Sequence, residues 1–210
     1  MSELARKGLF SVVLIVVGVG LIVFGLSSRE LEPLKMPEHL KGVIVESPAM
    51  ELPEFSLIDY NGKAFTNADL NGRWTVAFFG YTNCPDFCPT SLGVMDKVSQ
   101  KFDFPEDTLF LFATVDPARD TPEKLKEYLS FFSEEIVGLS GDKSQIDIIA
   151  EPLGVIYDYE GDVASDDYIV NHFGAVYLFD PKGRLRTHIL APHEVERLGE
   201  ALMLSINYYD

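Results

Sequence analysis

The only two cysteines of this 210-residue chain lie four residues apart, directly after an apolar run that predicts a buried strand. The run covers residues 74–79, and Cys84 and Cys88 are each followed by a proline. Two thiols at the carboxyl end of a central strand can bind a soft metal ion, cycle between dithiol and disulfide, or form a static crosslink. The rest of the sequence therefore has to indicate which of these three kinds of site is present.

An uncharged segment near the N-terminus predicts a membrane anchor. The 21 residues from 8 to 28 carry no charge, and a helix of that length spans roughly 30 Å, the thickness of a hydrocarbon core. Arg6 and Lys7 precede it, so the positive-inside rule places the first residues in the cytoplasm and the remainder in the periplasm, with one pass through a bacterial inner membrane. A cleaved signal peptide is the alternative, although its apolar region is usually ~7–15 residues long and no Ala-x-Ala site follows here.

Three parts are predicted along the chain. Residues 1–28 are the cytoplasmic tip and transmembrane anchor, 29–52 are a tether interrupted by prolines such as Pro33 and Pro37, and 53–210 are one globular domain. A hydrophobic share of 47% is ample for the core of such a domain. The net charge of -16 argues against nucleic acid as a partner.

The globular part alternates predicted strands and helices. An N-terminal hairpin turns at Asn61-Gly62. The further predicted strands cover residues 74–79, 108–115, 136–139, 155–159, 175–179 and 185–189, and the predicted helices cover 91–102, 122–132, 142–153 and 192–208. Strands and helices in this order, followed by a hairpin and a closing helix, predict an α/β fold with a mixed sheet and helices on both faces.

Several motifs resemble those of the Sco/SenC family, and the likeness extends over roughly residues 52–190. They are GYTNCPDFCPT at 80–90, VDPARDTP at 115–122, GLSG at 138–141, DYIVNH at 167–172 and YLFDPKG at 177–183. The resemblance implies a thioredoxin-like fold. It also implies a role in delivering copper to the dinuclear copper (CuA) centre of cytochrome c oxidase, with or without thiol–disulfide reduction of that site.

By match to the family, the copper ligands are Cys84, Cys88 and His172, holding one ion per chain as Cu(I) and/or Cu(II). Thiolates select the soft Cu(I) ion, and an imidazole completes a three-coordinate site. In a thioredoxin-like sheet the strand from Ala175 runs antiparallel beside the strand from Trp74. We therefore expect His172 to face the cysteine loop, although it is far away in sequence.

The spacing of the cysteines bears on their redox chemistry. A residue before proline avoids the helical region, so Cys84 and Cys88 are expected in a turn, with a helix starting at Pro89. A helix N-terminus there would lower the pKa of the thiols and favour metal binding and exchange alike. A static crosslink is the weaker interpretation, because closing so small a loop adds little stability.

Four further residues are candidates for the surroundings of the metal. Tyr81 and Phe87 are predicted as an apolar rim, and Asn171 and Asp167 as neighbours of the histidine. The family usually has Asp where this chain has Asn171, and a small hydroxyl residue where it has Phe173. Loss of that carboxylate would change the strength of copper binding and leave the ligands unchanged, and Asp166 or Asp167 could substitute for it.

The remaining histidines and the charged residues of the second motif receive simpler interpretations. The histidines are interpreted as ordinary surface residues; they are His39, His188 and His193. The charged residues are interpreted as structural groups that position a turn and a helix start; they are Asp116, Arg119 and Asp120.

Two enzyme hypotheses stay open beside the copper chaperone. One is a periplasmic thiol–disulfide oxidoreductase that uses Cys84 and Cys88, with His172 aiding proton transfer. The other is a thiol peroxidase, which is weaker because Thr82 stands two residues before Cys84 rather than three. The expected partners are the CuA subunit of cytochrome c oxidase or another periplasmic copper protein, a thiol reductant, and the inner membrane through residues 8–28.

Overall fold

The computed structural model of the chain describes residues 34–165 and 167–209. The predicted anchor at 8–28, the start of the predicted tether and Asp166 lie outside these residues. Within the described ranges, no helix combines the length and the apolar character needed to cross a membrane.

Ten strands in the described residues form two sheets. They are β1 (Val43–Met50), β2 (Ser56–Asp59), β3 (Ala64–Thr66), β4 (Thr75–Gly80), β5 (Leu109–Thr114), β6 (Ile136–Ser140), β7 (Tyr157–Gly161), β8 (Tyr168–His172), β9 (Ala175–Phe179) and β10 (Leu185–Leu190). Eight of them make one sheet in the order β1-β10-β9-β4-β5-β6-β2-β3, and β7 and β8 make a separate antiparallel pair. In the large sheet β4, β5 and β6 are parallel and the other pairs are antiparallel, which confirms the predicted mixed sheet.

Five helices complete the described part of the fold. They are α1 (Asn67–Leu70), α2 (Phe87–Lys101), α3 (Pro122–Leu129), α4 (Lys143–Ala150) and α5 (Val195–Tyr209). Helix α3 begins as predicted, because Thr121 caps it by accepting the backbone N–H of Lys124 at 3.3 Å and Pro122 takes the first position. Helix α2 packs against α5, and α3 packs against β6. The fold is thus the predicted α/β, thioredoxin-like arrangement with an N-terminal hairpin, β2–β3.

Strand β4 is the centre of the sheet, and all six of its residues are buried. Phe78 of β4 lies opposite Phe112 of β5 on the parallel side and opposite Val176 of β9 on the antiparallel side. This confirms the predicted pairing of the 74–79 and 175–179 strands. Because β4 and β9 run in opposite directions, the last residue of β4, Gly80, and the first residue of β9, Ala175, lie at the same end of the two strands.

The predicted tether is wrong for residues 43–50, which form β1. Val43 lies opposite Ile189 of β10, and Val45 lies opposite Thr187. Pro48 is compatible with this strand, because the pairing is irregular between Val45 and Met50 and Pro48 therefore interrupts no regular ladder. The folded domain therefore begins well before the predicted boundary at residue 53.

Strand β8 is missing from the sequence prediction, and β7 begins two residues later than predicted. Along β8 the buried residues Tyr168 and Val170 alternate with the exposed Ile169 and Asn171. An isoleucine on the exposed face hides this alternation in the sequence, because a half-buried strand is expected to turn polar side chains to solvent.

Candidate metal centre

Cys84 lies in the turn that follows β4, whereas Cys88 lies in the first turn of α2. The helix begins at Phe87, two residues before the predicted start at Pro89. The proline is tolerated because backbone N–H groups in the first helical turn have no intrahelical partner. The prediction that the cysteines lie in a turn is thus confirmed for Cys84 and wrong for Cys88.

The two sulfurs and one imidazole lie close together beyond the carboxyl end of β4. His172 is the last residue of β8, and its Nε2 is 3.1 Å from Sγ of Cys88. The backbone N–H of Cys88 donates to Sγ of Cys84 at 3.3 Å. One ligand atom from each of the three side chains lies within 4.8 Å of the others. This is the group of metal-binding side chains expected from the sequence, and it is the only such group in the described residues.

Aromatic rings surround the imidazole of His172. The ring centroids of Tyr81, Phe87 and Phe78 lie 5.8, 5.9 and 6.3 Å from that of His172. Cys88 is fully buried, while Cys84 and His172 are partly exposed. The predicted apolar rim of Tyr81 and Phe87 is therefore present, and Phe78, predicted only as a core residue, adjoins it. An exchanging ligand can therefore reach the site where Cys84 and His172 are open to solvent.

The thiol pair shares one proton unequally. A hydrogen bond from the Cys88 side chain is the main cause that lowers the pKa of Cys84 to about 4, against an opposing effect of burial. The same bond, together with burial, raises the pKa of Cys88. At neutral pH the reduced pair is accordingly a thiolate at Cys84 and a thiol at Cys88.

The donor set fits a soft metal ion. Two sulfurs and a ring nitrogen suit Cu(I) better than the hard cations that prefer oxygen. Nδ1 of His172 is buried and has no hydrogen-bond partner among the described residues. The packing of the aromatic rings, rather than a carboxylate, therefore sets the orientation of this imidazole.

Asn171 and Asp167 do not reach the site. Asn171 is exposed on the face of β8 opposite to His172, and its Nδ2 donates to Oε2 of Glu160 at 3.2 Å. Asp167 is exposed at the start of β8, where its backbone N–H donates to Oγ of Ser165 at 3.3 Å. The alternation of side chains along a strand turns the residue next to the histidine outward.

A buried ion pair fixes the strand that carries His172. Arg119 donates from Nε to Oδ2 of Asp116 at 2.6 Å and from Nη1 to the backbone carbonyl of Tyr168 at 2.9 Å. The hydroxyl of Tyr168 donates to Oδ1 of Asp116 at 2.6 Å, and the guanidinium carbon lies 3.5 Å from the centroid of the Tyr168 ring. Because Tyr168 begins β8 and His172 ends it, this cluster holds the histidine strand against the domain.

The same loop also fixes the cysteine turn, through Asp120. This carboxylate accepts the backbone N–H of Thr82 at 2.9 Å, the Thr82 hydroxyl at 2.5 Å and the Thr114 hydroxyl at 2.6 Å. Burial raises the pKa of Asp120, and the bonds from Thr114 and Thr82 oppose that rise. Asp116, Arg119 and Asp120 thus have the structural role predicted for them, and they serve both halves of the site.

Position 174 needs a glycine. A Cβ there would lie 2.0 Å from Cε1 of Phe87, so only glycine leaves room for the ring that packs on His172. Sequence reasoning missed Gly174, because one sequence does not show which atoms approach a glycine.

The surface interpretation is wrong for His193 and His188. His193 is 9% exposed, and its Nε2 donates to the carbonyl of Ile189 at 3.1 Å while Nδ1 accepts the Ser91 hydroxyl at 3.0 Å. Burial lowers the pKa of His193, and its ring centroid lies 6.0 Å from that of Phe87. The side chain of His188 is only 18% exposed. His193 therefore packs against Phe87, one of the aromatic rings that surround His172.

Comparisons with known proteins identify the family of this chain. The model of the SCO1/SenC family matches residues 46–206. A SCO2-like protein of Rickettsia felis is 34% identical over 194 residues, which are 91% of this chain and 93% of that protein. The structure of Bradyrhizobium japonicum ScoI with copper bound is similar with a TM-score of 0.63 and 37% identity, over 74% of this chain and 98% of that one. Yeast Sco1 with copper bound gives a TM-score of 0.70 and 31% identity, over 77% and 91%. Since the family match spans most of the sequence, the chain belongs to the SCO1/SenC family.

Proposed function

We propose that this protein binds one copper ion through Cys84, Cys88 and His172 and assists assembly of the CuA centre of cytochrome c oxidase. The observation that carries the proposal is the convergence of two sulfurs and one imidazole within 4.8 Å. The copper-bound Sco structures that share this fold support it. Copper is here the cargo of the protein, so the site has to release the ion as well as hold it.

The protonation of the pair predicts how copper enters. The Cys84 thiolate is partly open and can contact an arriving ion first. Cys88 then gives up its proton to the solvent to bind as a thiolate, and the imidazole of His172 supplies the third donor. Binding of one ion at neutral pH is therefore expected to release about one proton per copper.

A copper titration of the reduced protein tests the proposal. We expect one Cu(I) per chain by competition with a chromophoric chelator, and sulfur-to-copper charge-transfer absorption with Cu(II). Cys84→Ser and His172→Ala should each lower the affinity at least about 100-fold, since each removes a ligand. His39→Ala is the control, because His39 is exposed and hydrogen-bonded to Glu200 at 2.9 Å. Equal affinity in Cys84→Ser and the unmodified protein would contradict the proposal.

A thiol–disulfide oxidoreductase is the second candidate, and the lowered pKa of Cys84 favours it. A reduction assay on insulin separates the two functions, because His172→Ala should steeply lower the copper affinity while leaving thiol exchange nearly intact. The thiol peroxidase hypothesis lacks comparable support, since the Thr82 hydroxyl is bonded to Asp120.

The proposed setting is the periplasmic face of a bacterial inner membrane, with residues 8–28 as the anchor. Its support is the uncharged segment preceded by Arg6 and Lys7. An alkaline phosphatase fusion at the C-terminus should be active in cells, and protease added to spheroplasts should degrade the domain. The proposed partners there are the CuA subunit of the oxidase and a thiol reductant that keeps both cysteines free.

A further inference from the structure

The β7–β8 hairpin has an inner face that is tied to the domain. The hydroxyl of Tyr159 donates to the carbonyl of Val115 at 2.8 Å, and that of Tyr168 donates to Asp116. The hydroxyl of Tyr157 is bonded to Asp147 of α4. Since these tyrosines hold the inner face, the opposite face of the hairpin is fixed in place and open to solvent.

Exposed apolar side chains are concentrated on and beside this hairpin. Four of the eight large apolar side chains that are exposed in the described residues belong to residues 156–173; they are Ile156 (74%), Val163 (62%), Ile169 (54%) and Phe173 (49%). Single exposed apolar residues are ordinary, whereas a concentration of them marks a surface that contacts another molecule.

Two of these residues border the copper ligand. The backbone N–H of Phe173 donates to the carbonyl of Ile156 at 2.9 Å, and Phe173 directly follows His172. Tyr157, next to Ile156, lies opposite His172 in the strand pair. A molecule that covers Ile156 and Phe173 is therefore brought to the site itself.

The charge of the hairpin has one sign. Residues 156–173 contain five carboxylates and no lysine or arginine. Asp158 and Glu160 are exposed on the outer face, the latter beside Asn171. Lys143 reaches the hairpin only at the Tyr157 hydroxyl, and its ammonium is paired with Asp147. On this face Asp158 lies between Ile156 and Phe173 at one end and Ile169 at the other. The surface therefore fits a partner that presents apolar side chains with lysine or arginine among them.

We propose that a docking face made of Ile156, Asp158, Glu160, Ile169 and Phe173 binds the protein that receives the copper. That recipient would present apolar side chains together with lysine or arginine on its contact surface. The inference rests on the proposed function, because a copper carrier has to bring the protein that receives the ion to His172. Attraction between the opposite charges of the two surfaces would speed encounter, and the apolar contact would hold the complex while the ion moves.

Copper transfer to the soluble CuA domain of the oxidase from the same organism tests this docking face. The full-length protein in detergent is loaded with Cu(I), mixed with that domain, and sampled over time for copper on each partner. Phe173→Ser and Ile169→Ser should each slow transfer about tenfold, because interface centres contribute most of the binding energy. Phe131→Ser is the matched control, since Phe131 is 78% exposed and lies far from the hairpin in sequence, after α3.

Salt and charge variants test the sign of the partner. The double variant Asp158→Asn, Glu160→Gln should slow transfer several-fold at about 20 mM salt and hardly at all at about 300 mM, where screening removes the attraction. If the transfer rate of the unmodified protein rises with salt, the proposal that the partner surface is basic is wrong. Sedimentation could instead show that the unmodified protein is a dimer and that Ile169→Ser is a monomer. That result would assign the docking face to a second copy of the chain and would also overturn the proposal.

The outcomes separate this inference from the copper proposal. Copper affinity is measured for every variant, and Ile169→Ser is included because Ile169 is three residues from His172 and faces away from it. Normal copper binding with the unmodified transfer rate in Ile169→Ser overturns the docking face alone. Failure of the unmodified protein to bind copper overturns the proposed function, and the docking face falls with it.

Discussion

Gly80 lies directly beside the sulfur of Cys88: a Cβ at position 80 would stand 2.8 Å from that Sγ. Gly80 is the last residue of β4, and Cys88 is fully buried in the first turn of α2. The same Cβ would lie 3.0 Å from Cε2 of Phe112 on the neighbouring strand. A side chain at position 80 would therefore crowd the sulfur and the Phe112 ring together. The position of one proposed copper ligand thus depends on the absence of a side chain at the end of the central strand.

Gly80→Ala is expected to displace Cys88 and weaken copper binding. The added methyl group has to push the sulfur or the Phe112 ring, which costs about 1–3 kcal/mol of unfolding free energy for overpacking. We expect the affinity for Cu(I) to fall about tenfold or more, because a shifted ligand no longer meets the other two. Competition titration and chemical denaturation measure the two effects on the same sample.

Gly93→Ala is the control for this substitution. Gly93 lies within α2, and a Cβ at that position would have no neighbour within 4 Å. Alanine in a helix interior is favoured over glycine by about 0.5–1 kcal/mol, so this variant should be slightly more stable and bind copper normally. Equal copper affinity in both alanine variants would show that Gly80 has no influence on the site.

Tyr168→Phe is expected to loosen the histidine strand. It removes the hydroxyl that donates to Asp116 and leaves a fully buried carboxylate oxygen with one bond fewer. The loss should be about 1–3 kcal/mol of unfolding free energy. The electron paramagnetic resonance spectrum of the Cu(II) form should show weaker nitrogen coupling from His172, while both sulfurs stay bound.

Tyr128→Phe separates this effect from the simple loss of a tyrosine hydroxyl. The hydroxyl of Tyr128 is buried without a hydrogen-bond partner among the described residues, and burial is the main cause that raises its pKa. Its removal should therefore be neutral or stabilising. An unchanged spectrum in Tyr168→Phe would mean that His172 keeps its place without the Asp116 cluster.

The proximity of the three proposed ligands was predictable because they stand in local motifs and because one strand pairing determines where His172 lies. The cysteines follow a recognisable buried strand, and the antiparallel pairing of β4 with β9 brings His172 to them. The cluster of Arg119 with Tyr168 joins residues 49 apart through a hydrogen bond from the guanidinium to a backbone carbonyl. No periodicity in a single sequence reports such a contact, and the buried His193 was missed for the same reason.

The pKa of Cys84 predicts a thiol that reacts in mild acid. With a pKa of about 4, against ~8.5 for a free cysteine, Cys84 is a thiolate throughout the range from pH 5 to 8. Its alkylation by iodoacetamide in the reduced, metal-free protein should proceed at nearly the same rate at pH 6 as at pH 8. Mass spectrometry after brief reaction identifies the modified cysteine.

Cys88→Ala is the comparison for this reactivity. It removes the hydrogen bond that lowers the pKa of Cys84, so the rate at pH 6 should fall well below the rate at pH 8. The depressed pKa also links folding to pH. The stability that Cys84 contributes is complete above the unfolded pKa of ~8.5 and is lost as the pH falls through 4. A steep dependence of alkylation on pH in the unmodified protein would contradict the thiolate.

The chain before residue 53 is expected to contribute to stability, because it holds more than a tether. Leu40 is 2% exposed, and β1 covers the edge of β10. A protein that begins at residue 53 loses both, and the burial of one large apolar side chain alone contributes about 1.5–3 kcal/mol. It also exposes β10 as an edge strand, which promotes association between chains.

We expect the melting temperature of the protein that begins at residue 53 to be about 4–8 °C below that of a protein beginning at residue 34, since about 2–4 °C corresponds to each kcal/mol at this size. Calorimetry and light scattering on the two proteins measure this, and equal melting temperatures would mean that residues 34–52 add nothing to the folded domain.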